Sequence, residues 1–258
     1  MRKFIVTCLL LSTLTLPILA DTRCFLAKEQ NRVLKSEGDV NLRFSPASTF
    51  KIAISLMGFD AGVLVNSMTP EWPFDKINTS SYNPVCNQAQ TPESWMKNSC
   101  VWYSQKITTQ LGAEKFKNYV THFDYGNQDI TGDAGKNNGL THSWLGSSLK
   151  ISALEQATFV QKLIDDRLPV SKQSQSQTRK ILSLETLPNG WKLYGKTGTN
   201  PHGSRDKVYQ GGWFVGWIEK GERKIVFAHY FEDKQAESTP VGRRAKAVAK
   251  QILMALSI

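Results

Sequence analysis

Residues 212–231 read GWFVGWIEKGERKIVFAHYF. Two strand-like runs, residues 212–219 and 224–231, flank Lys220-Gly221-Glu222, a connection short enough to be a tight hairpin. Strands joined this way pair antiparallel, not through a crossover. A further strand is predicted over residues 192–199, and Thr239-Pro240 starts a terminal helix reaching about residue 256. At the other end, residues 24–34 read as a hairpin turning near Glu29-Gln30-Asn31. The order of strands, helices, strands and helix predicts an α+β fold. Its sheet is antiparallel and flanked by helices, with a mainly helical subdomain inserted from the middle of the chain. The termini lie together on the sheet layer, and a cleft between the layers is the expected place for a site.

Residues 60–150 read as short helices and loops. Breakers recur there at Trp72-Pro73, Asn83-Pro84, Tyr125-Gly126-Asn127 and Asn137-Asn138-Gly139. Ser152-Ala153-Leu154-Glu155 is a capping box opening a helix to about Arg167. Leu154, Ala157, Phe159, Val160, Leu163 and Ile164 give that helix a broad apolar face. The polar stretch 171–177 leads into Thr178-Arg179-Lys180-Ile181-Leu182 and reads as a solvated helix start. No internal repeat or long low-complexity linker is present.

The chain has 258 residues, enough for one or two domains with a sizeable core. Residues 1–20 read as a cleaved secretory signal, with Arg2-Lys3, then a short apolar stretch broken by Thr13, Thr15 and Pro17, then Ala20. The remainder, 21–258, is expected to be one soluble, exported domain. The formal net charge of +10 raises the possibility of nucleic-acid binding. However, the basic residues are scattered; Arg243-Arg244-Ala245-Lys246 beside Lys250 is the one tight group, and a solvated helix face accounts for it better. Such charge also favours small anionic substrates. Cys8 leaves with the signal, so Cys24, Cys86 and Cys100 allow at most one disulfide. Cys100 lies in an apolar stretch and is expected to be a buried free thiol. The four His are dispersed, without metal-ligand spacing, so no metal is expected.

Ser48-Thr49-Phe50-Lys51 carries the most chemistry. A spacing of three sets Ser48 and Lys51 on one helix face, and a serine needs a base within reach to become a nucleophile. The pattern Ser-x-x-Lys also occurs at Ser94, Ser147 and Ser204, so context must choose. After Ser48 the residues 51–59 are apolar almost all round, as in a buried helix. Upstream, Ser45 is the expected cap and Pro46 the first-turn residue. Taken alone, Ser48 reads equally as a small residue at a helix start.

Further on come Ser99-Cys100-Val101 and then Lys196-Thr197-Gly198 on a strand. With Tyr125-Gly126-Asn127 and Trp144-Leu145 between them, the ordered set resembles the class D (oxacillinase-type) serine β-lactamases, over essentially the whole mature chain. Val101 stands where the class A pattern has an amide. The resemblance implies the β-lactamase and penicillin-binding transpeptidase-like fold and hydrolysis of β-lactams through an acyl-serine. It implies Ser48 as nucleophile, Ser99 as proton relay to the leaving nitrogen and Lys196 as its electrostatic support. It further implies that Lys51, with its pKa lowered from about 10.4 by burial, is N-carboxylated by carbon dioxide or bicarbonate and acts as the base. No separate cofactor is called for. Val101 keeps polar partners from Lys51, and the Trp144 indole N–H suits one carbamate oxygen. Thr197, Gly198, Thr199 and one of two adjacent arginines, with Arg244 favoured over Arg243, complete substrate binding. The backbone N–H groups of Ser48 and Thr199 form the oxyanion site. Without the resemblance, Trp144 reads as core packing. Tyr125-Gly126-Asn127 is assigned a structural role.

The implied protein is periplasmic, a monomer or homodimer, with a β-lactam as its partner and neither nucleic acid nor membrane after signal cleavage. Three alternatives compete. A cell-wall D,D-peptidase shares the Ser and Lys but deacylates slowly. A lactam-sensing ectodomain signals through membrane helices. A basic periplasmic binding protein leaves the ordered motifs unexplained. The substrate spectrum depends on loops around residues 85–98 and 200–210.

Overall fold

The computed structural model describes residues 22–75, 83–202, 209–233 and 239–256. The proposed signal, residues 1–20, lies outside them, as does most of the 200–210 loop. The chain begins with β1 (Thr22–Glu29) and β2 (Arg32–Gly38). A 3-10 turn (Ala47–Phe50) then runs directly into α1 (Lys51–Asp60). Next come α2 (Pro92–Asn98), α3 (Val101–His122), α4 (Gly139–His142), α5 (Ala153–Ile164) and α6 (Lys172–Ile181). The chain closes with β3 (Ser183–Thr186), β4 (Lys192–His202), β5 (Tyr209–Lys220), β6 (Arg223–Asp233) and α7 (Val241–Ala255). All strand pairs are antiparallel, in one six-stranded sheet ordered β2-β1-β6-β5-β4-β3. The N-terminal hairpin therefore docks on β6, which sets the first and last strands of the chain side by side, as expected for an α+β fold.

Gly221 turns the β5–β6 hairpin at φ +59°, a left-handed conformation that glycine adopts without steric cost. From that turn the register runs unbroken, Lys220 opposite Arg223 and Gly211 opposite Glu232. Side chains then alternate between two cores. Trp213, Val215 and Trp217 of β5, with Val226, Ala228 and Tyr230 of β6, face the helical body. Phe214, Ile218, Ile225, Phe227 and Phe231 face the opposite way, toward α7. That helix answers with Val241, Ala245, Ala249 and Leu253, one apolar stripe at four-residue spacing. Because both faces are covered, β5 shows a near-continuous apolar run instead of clean alternation.

The predicted helix starts at Ser152 and Ser171 are observed, the first as a reciprocal capping box with Glu155. Leu154, assigned to the apolar face, is instead exposed, since it sits at the solvent edge of the first turn. The middle of the chain departs further from the prediction. α3 has 22 residues, divided by Gly112 at φ +77° and ψ 163°. Its buried side includes Ser104 and Thr108 between Trp102, Tyr103, Ile107 and Leu111, and these polar residues hide the helical period. Ser104 Oγ accepts a 2.9 Å hydrogen bond from Trp95 Nε1. The four-residue strand β3 is exposed throughout and carries no apolar signal.

Two local expectations are corrected. Ser45 does not cap the nucleophile turn; the residue at that cap is Pro46, without a side-chain bond. Ser45 Oγ instead donates to Trp144 O at 2.9 Å and accepts from Gly146 N at 3.0 Å, tying two distant loops. Cys100 is not free: it is bridged to Cys86, 14 residues earlier, and Cys24 is the buried free thiol. The burial that suggested a free thiol suits a buried bridge equally. Closing a loop of that length restricts the unfolded chain by about 3 kcal/mol. Replacing both bridged cysteines by Ala should lower the unfolding free energy by about that amount, measured as a smaller denaturant midpoint, with an m-value equal or larger because the unfolded chain is no longer cross-linked. An unchanged midpoint would refute it.

Candidate active site

Ser48 is half-buried in the 3-10 turn, between buried Ala47 and Thr49. The turn is the start of a helix, where backbone N–H groups lack helical acceptors. Ala47 holds φ +48°, a left-handed conformation unusual for a residue with a Cβ. One turn on, Lys51 is fully buried, 0 % exposed, and its Nζ donates to Ser48 Oγ at 3.1 Å. Burial holds the Lys51 ammonium well below its ordinary range, and the charge of Lys196 pushes in the same direction. Thr49 fixes the turn from beneath: its Oγ1 donates to Pro46 O at 2.7 Å and accepts from Gln156 Nε2 at 2.8 Å. The competing Ser94 is spent on capping α2 through Thr91, and Ser204 lies outside the described residues.

The second hydroxyl–amine pair crosses from helix to sheet. Lys196 Nζ donates to Ser99 Oγ at 2.9 Å and to Thr197 O at 3.1 Å. Ser99 ends α2 at φ +63°, in the left-handed region. The Cys86–Cys100 bridge holds the residue beside it. Burial pushes the Lys196 amine down to about 7. The two lysines therefore have depressed pKa values beside two serine hydroxyls, an arrangement suited to nucleophile activation and proton transfer.

β4 supplies the rim. β3 pairs only with Lys192, Leu193 and Tyr194, so β4 has an open edge from Lys196 onward. Gly195 N bonds Leu182 O at 3.0 Å on that side. The two-residue repeat of a strand then aims the N–H groups of Thr197 and Thr199 at the same open edge. Gly198 lies against the nucleophile turn: a Cβ there would come within 2.8 Å of Pro46 O and 3.3 Å of Ser48 N. A cleft of about 630 Å³ opens beside Gly195, Lys196 and Thr197, with Arg243 and Lys246 of α7 on its wall.

Trp144 is fully buried, its ring centroid 5.5 Å from that of Phe50, the residue before Lys51. Its Nε1 has no hydrogen-bond partner among the described residues, an orphaned donor. Val101 opens α3, two residues after Ser99.

The penicillin binding protein transpeptidase domain family matches residues 20–254. The β-lactamase OXA-1 of Escherichia coli is 39% identical over 254 residues, covering 96% of this chain and 90% of the relative. The β-lactamase OXA-9 of Klebsiella pneumoniae is 38% identical over 218 residues, covering 83% of this chain and 79% of the relative. Among solved structures, the class D β-lactamase OXA-427 superposes with a TM-score of 0.82 at 40% identity, covering 90% of this chain and 96% of that one. This chain belongs to the class D β-lactamases.

As a serine β-lactamase, it hydrolyses β-lactams through an acyl-serine. Within this class D fold, Tyr125-Gly126-Asn127 forms a brace behind the nucleophile turn. Asn127 N donates to Lys150 O at 2.9 Å, and Asn127 Nδ2 to Ser148 O at 2.9 Å. The Tyr125 ring meets that of Phe50 edge-on at 5.0 Å. Of the two adjacent arginines, Arg243 lines the cleft, whereas the Arg244 guanidinium stands 5.1 Å over the Phe231 ring. The helix stripe explains the difference, since Arg244 precedes buried Ala245 and lies over the sheet. Sequence reading also misses Gly242, whose N–H donates to Thr199 Oγ1 at 3.2 Å, and the role of Ser45 as a loop tie. Neither sits in a motif, so no sequence signal marks them.

Proposed function

We propose that this class D enzyme hydrolyses β-lactams with an N-carboxylated Lys51 as its general base. The observation that carries the reading is a fully buried amine 3.1 Å from the Ser48 hydroxyl, with its pKa depressed, in a core where the Trp144 N–H has no acceptor among the described residues. A neutral amine can add carbon dioxide, whereas an ammonium cannot. A carbamate on Lys51 supplies a carboxylate-like base for the Ser48 proton and for the water that opens the acyl-enzyme. Lys51 and Trp144 are the residues that hold it, and half-buried Val101 limits competing polar partners.

The same reading assigns the other roles. Ser48 Oγ attacks the lactam carbonyl, and the N–H groups of Ser48 and Thr199 receive the oxyanion. Ser99 Oγ passes a proton to the leaving nitrogen, and Lys196 stabilises the charge that moves. The substrate carboxylate is bound by Thr197 and by Arg243, in place of the Arg244 that the sequence favours. Gly198 lets substrate and nucleophile turn approach the strand. The same reading makes residues 1–20 an export signal, residues 21–258 one catalytic domain and the mature enzyme periplasmic. Among the described residues, no helix is long and apolar enough to cross a membrane.

Two measurements test this. Protein equilibrated with 13C-bicarbonate should show a carbamate carbon resonance that Lys51→Ala lacks; a wild-type spectrum without it rejects the modification. Ser48→Ala should bind penicillin yet show no mass increase on incubation, and a persisting adduct rejects Ser48 as nucleophile.

A further inference from the structure

The cleft beside β4 extends beyond what a single carboxylate needs. Along the strand, Gly198 lies against the nucleophile turn and Gly195, Lys196 and Thr197 line the cleft, so the carboxylate position proposed at Thr197 falls between Ser48 and the far end at Gly195. At that far end the walls are Lys97 from the last turn of α2, Lys180 from the last turn of α6, and apolar Met96, Ile181 and Leu184. Lys97 and Lys180 are exposed, and among the described residues neither is paired with a carboxylate. Lys246, on the same wall, is already engaged by Glu185 at 2.9 Å. Glu93 is the one carboxylate on the cleft wall. With Arg243 committed to one carboxylate, the far end retains an excess of positive charge next to an apolar strip. A helix C-terminus favours a lysine in each case. That accounts for Lys97 and Lys180 singly, but not for their convergence on one cleft from two separate helices.

We infer that Lys97 and Lys180 form a second anion subsite beyond the Thr197 carboxylate position. It fits a β-lactam carrying an anionic substituent on the ring carbon next to the carboxylate-bearing one, as in a suitably substituted cephalosporin. The placement rests on the hydrolase reading of this cleft, in which an acyl group at Ser48 extends along β4 toward Gly195. Exposed Leu184, with buried Met96 and Ile181 on the same wall, meets the carbon skeleton of the substituent, and the two ammonium groups take its charge.

The test compares two cephalosporins of one skeleton, with a neutral or a sulfonated substituent at that carbon. Wild-type kcat/KM should favour the anionic compound by about tenfold, expressed in KM, as expected for two partly solvated ion pairs. The preference should shrink toward unity at roughly 0.5 M salt. In the Lys97→Gln/Lys180→Gln variant it should vanish at low salt, with each single variant intermediate. No wild-type preference, or one that survives both substitutions, overturns the subsite. Calorimetric binding to Ser48→Ala provides the same comparison without turnover. If no lactam is hydrolysed, the hydrolase reading fails while this affinity ratio still decides the subsite.

Discussion

Lys51→Ala is expected to cut penicillin turnover by about a thousandfold, the scale of a lost general base, with deacylation affected more than acylation. The variant should still fold, because it removes a buried amine whose one partner among the described residues is Ser48 Oγ. The loss is chemical: among the described residues Lys51 is the amine bonded to Ser48 Oγ, and Lys196 is bonded to Ser99 instead. A pH arm follows from the direction of the shift. Burial and the neighbouring Lys196 lower the pKa of Lys51, so its neutral, carboxylatable form increases as pH rises through that value. Acidification protonates the amine and strips the carbamate. Wild-type hydrolysis measured at mildly acid pH after removal of carbon dioxide should therefore be low, and added bicarbonate should restore it. Lys51→Ala should not respond. Unchanged wild-type activity in stripped buffer, or full turnover by the variant, would sink the carbamate assignment.

Gly198→Val is expected to cost about a hundredfold in acylation, the scale of a nucleophile misplaced by around an ångström. The backbone at Gly198 is not left-handed, so the effect is steric and not conformational. Its missing Cβ is what allows Pro46 O and Ser48 N to lie at 2.8 and 3.3 Å from that position. A valine must push the turn off the strand or bend the strand. Overpacking of this kind destabilises by about 1–3 kcal/mol. Single-turnover acylation and thermal unfolding measure the two effects separately. Wild-type acylation in Gly198→Val would show that the turn does not depend on this close approach.

The sheet was largely legible before the fold was known. The hairpin at Gly221, the strand carrying Lys196-Thr197-Gly198 and the capping box at Ser152 follow from backbone chemistry within a few residues. Ser48 and Lys51 are legible too, since helix periodicity sets them one turn apart and the apolar run after them, with the later motifs, singles them out from the other Ser-x-x-Lys patterns. The helical middle was less so. Ser104 and Thr108 lie within the buried side of α3, and only their tertiary surroundings make a 22-residue helix there. Cys100 reads as a buried free thiol in the sequence, and the proximity of Cys86, which only the fold supplies, makes it a bridge instead.

What the chain alone determined about this protein is the set of reactive groups and the local elements that bear them. Which groups meet was decided by tertiary packing. Ser99 and Lys196 are 97 residues apart and come within 2.9 Å only because α2 packs near the open edge of β4. Arg243 rather than Arg244 faces the cleft because the apolar stripe of α7 sets the rotation of that helix on the sheet. Local rules act over a turn or a hairpin. Contact across a cleft depends on how whole layers bury their apolar faces, and a linear pattern does not contain that information.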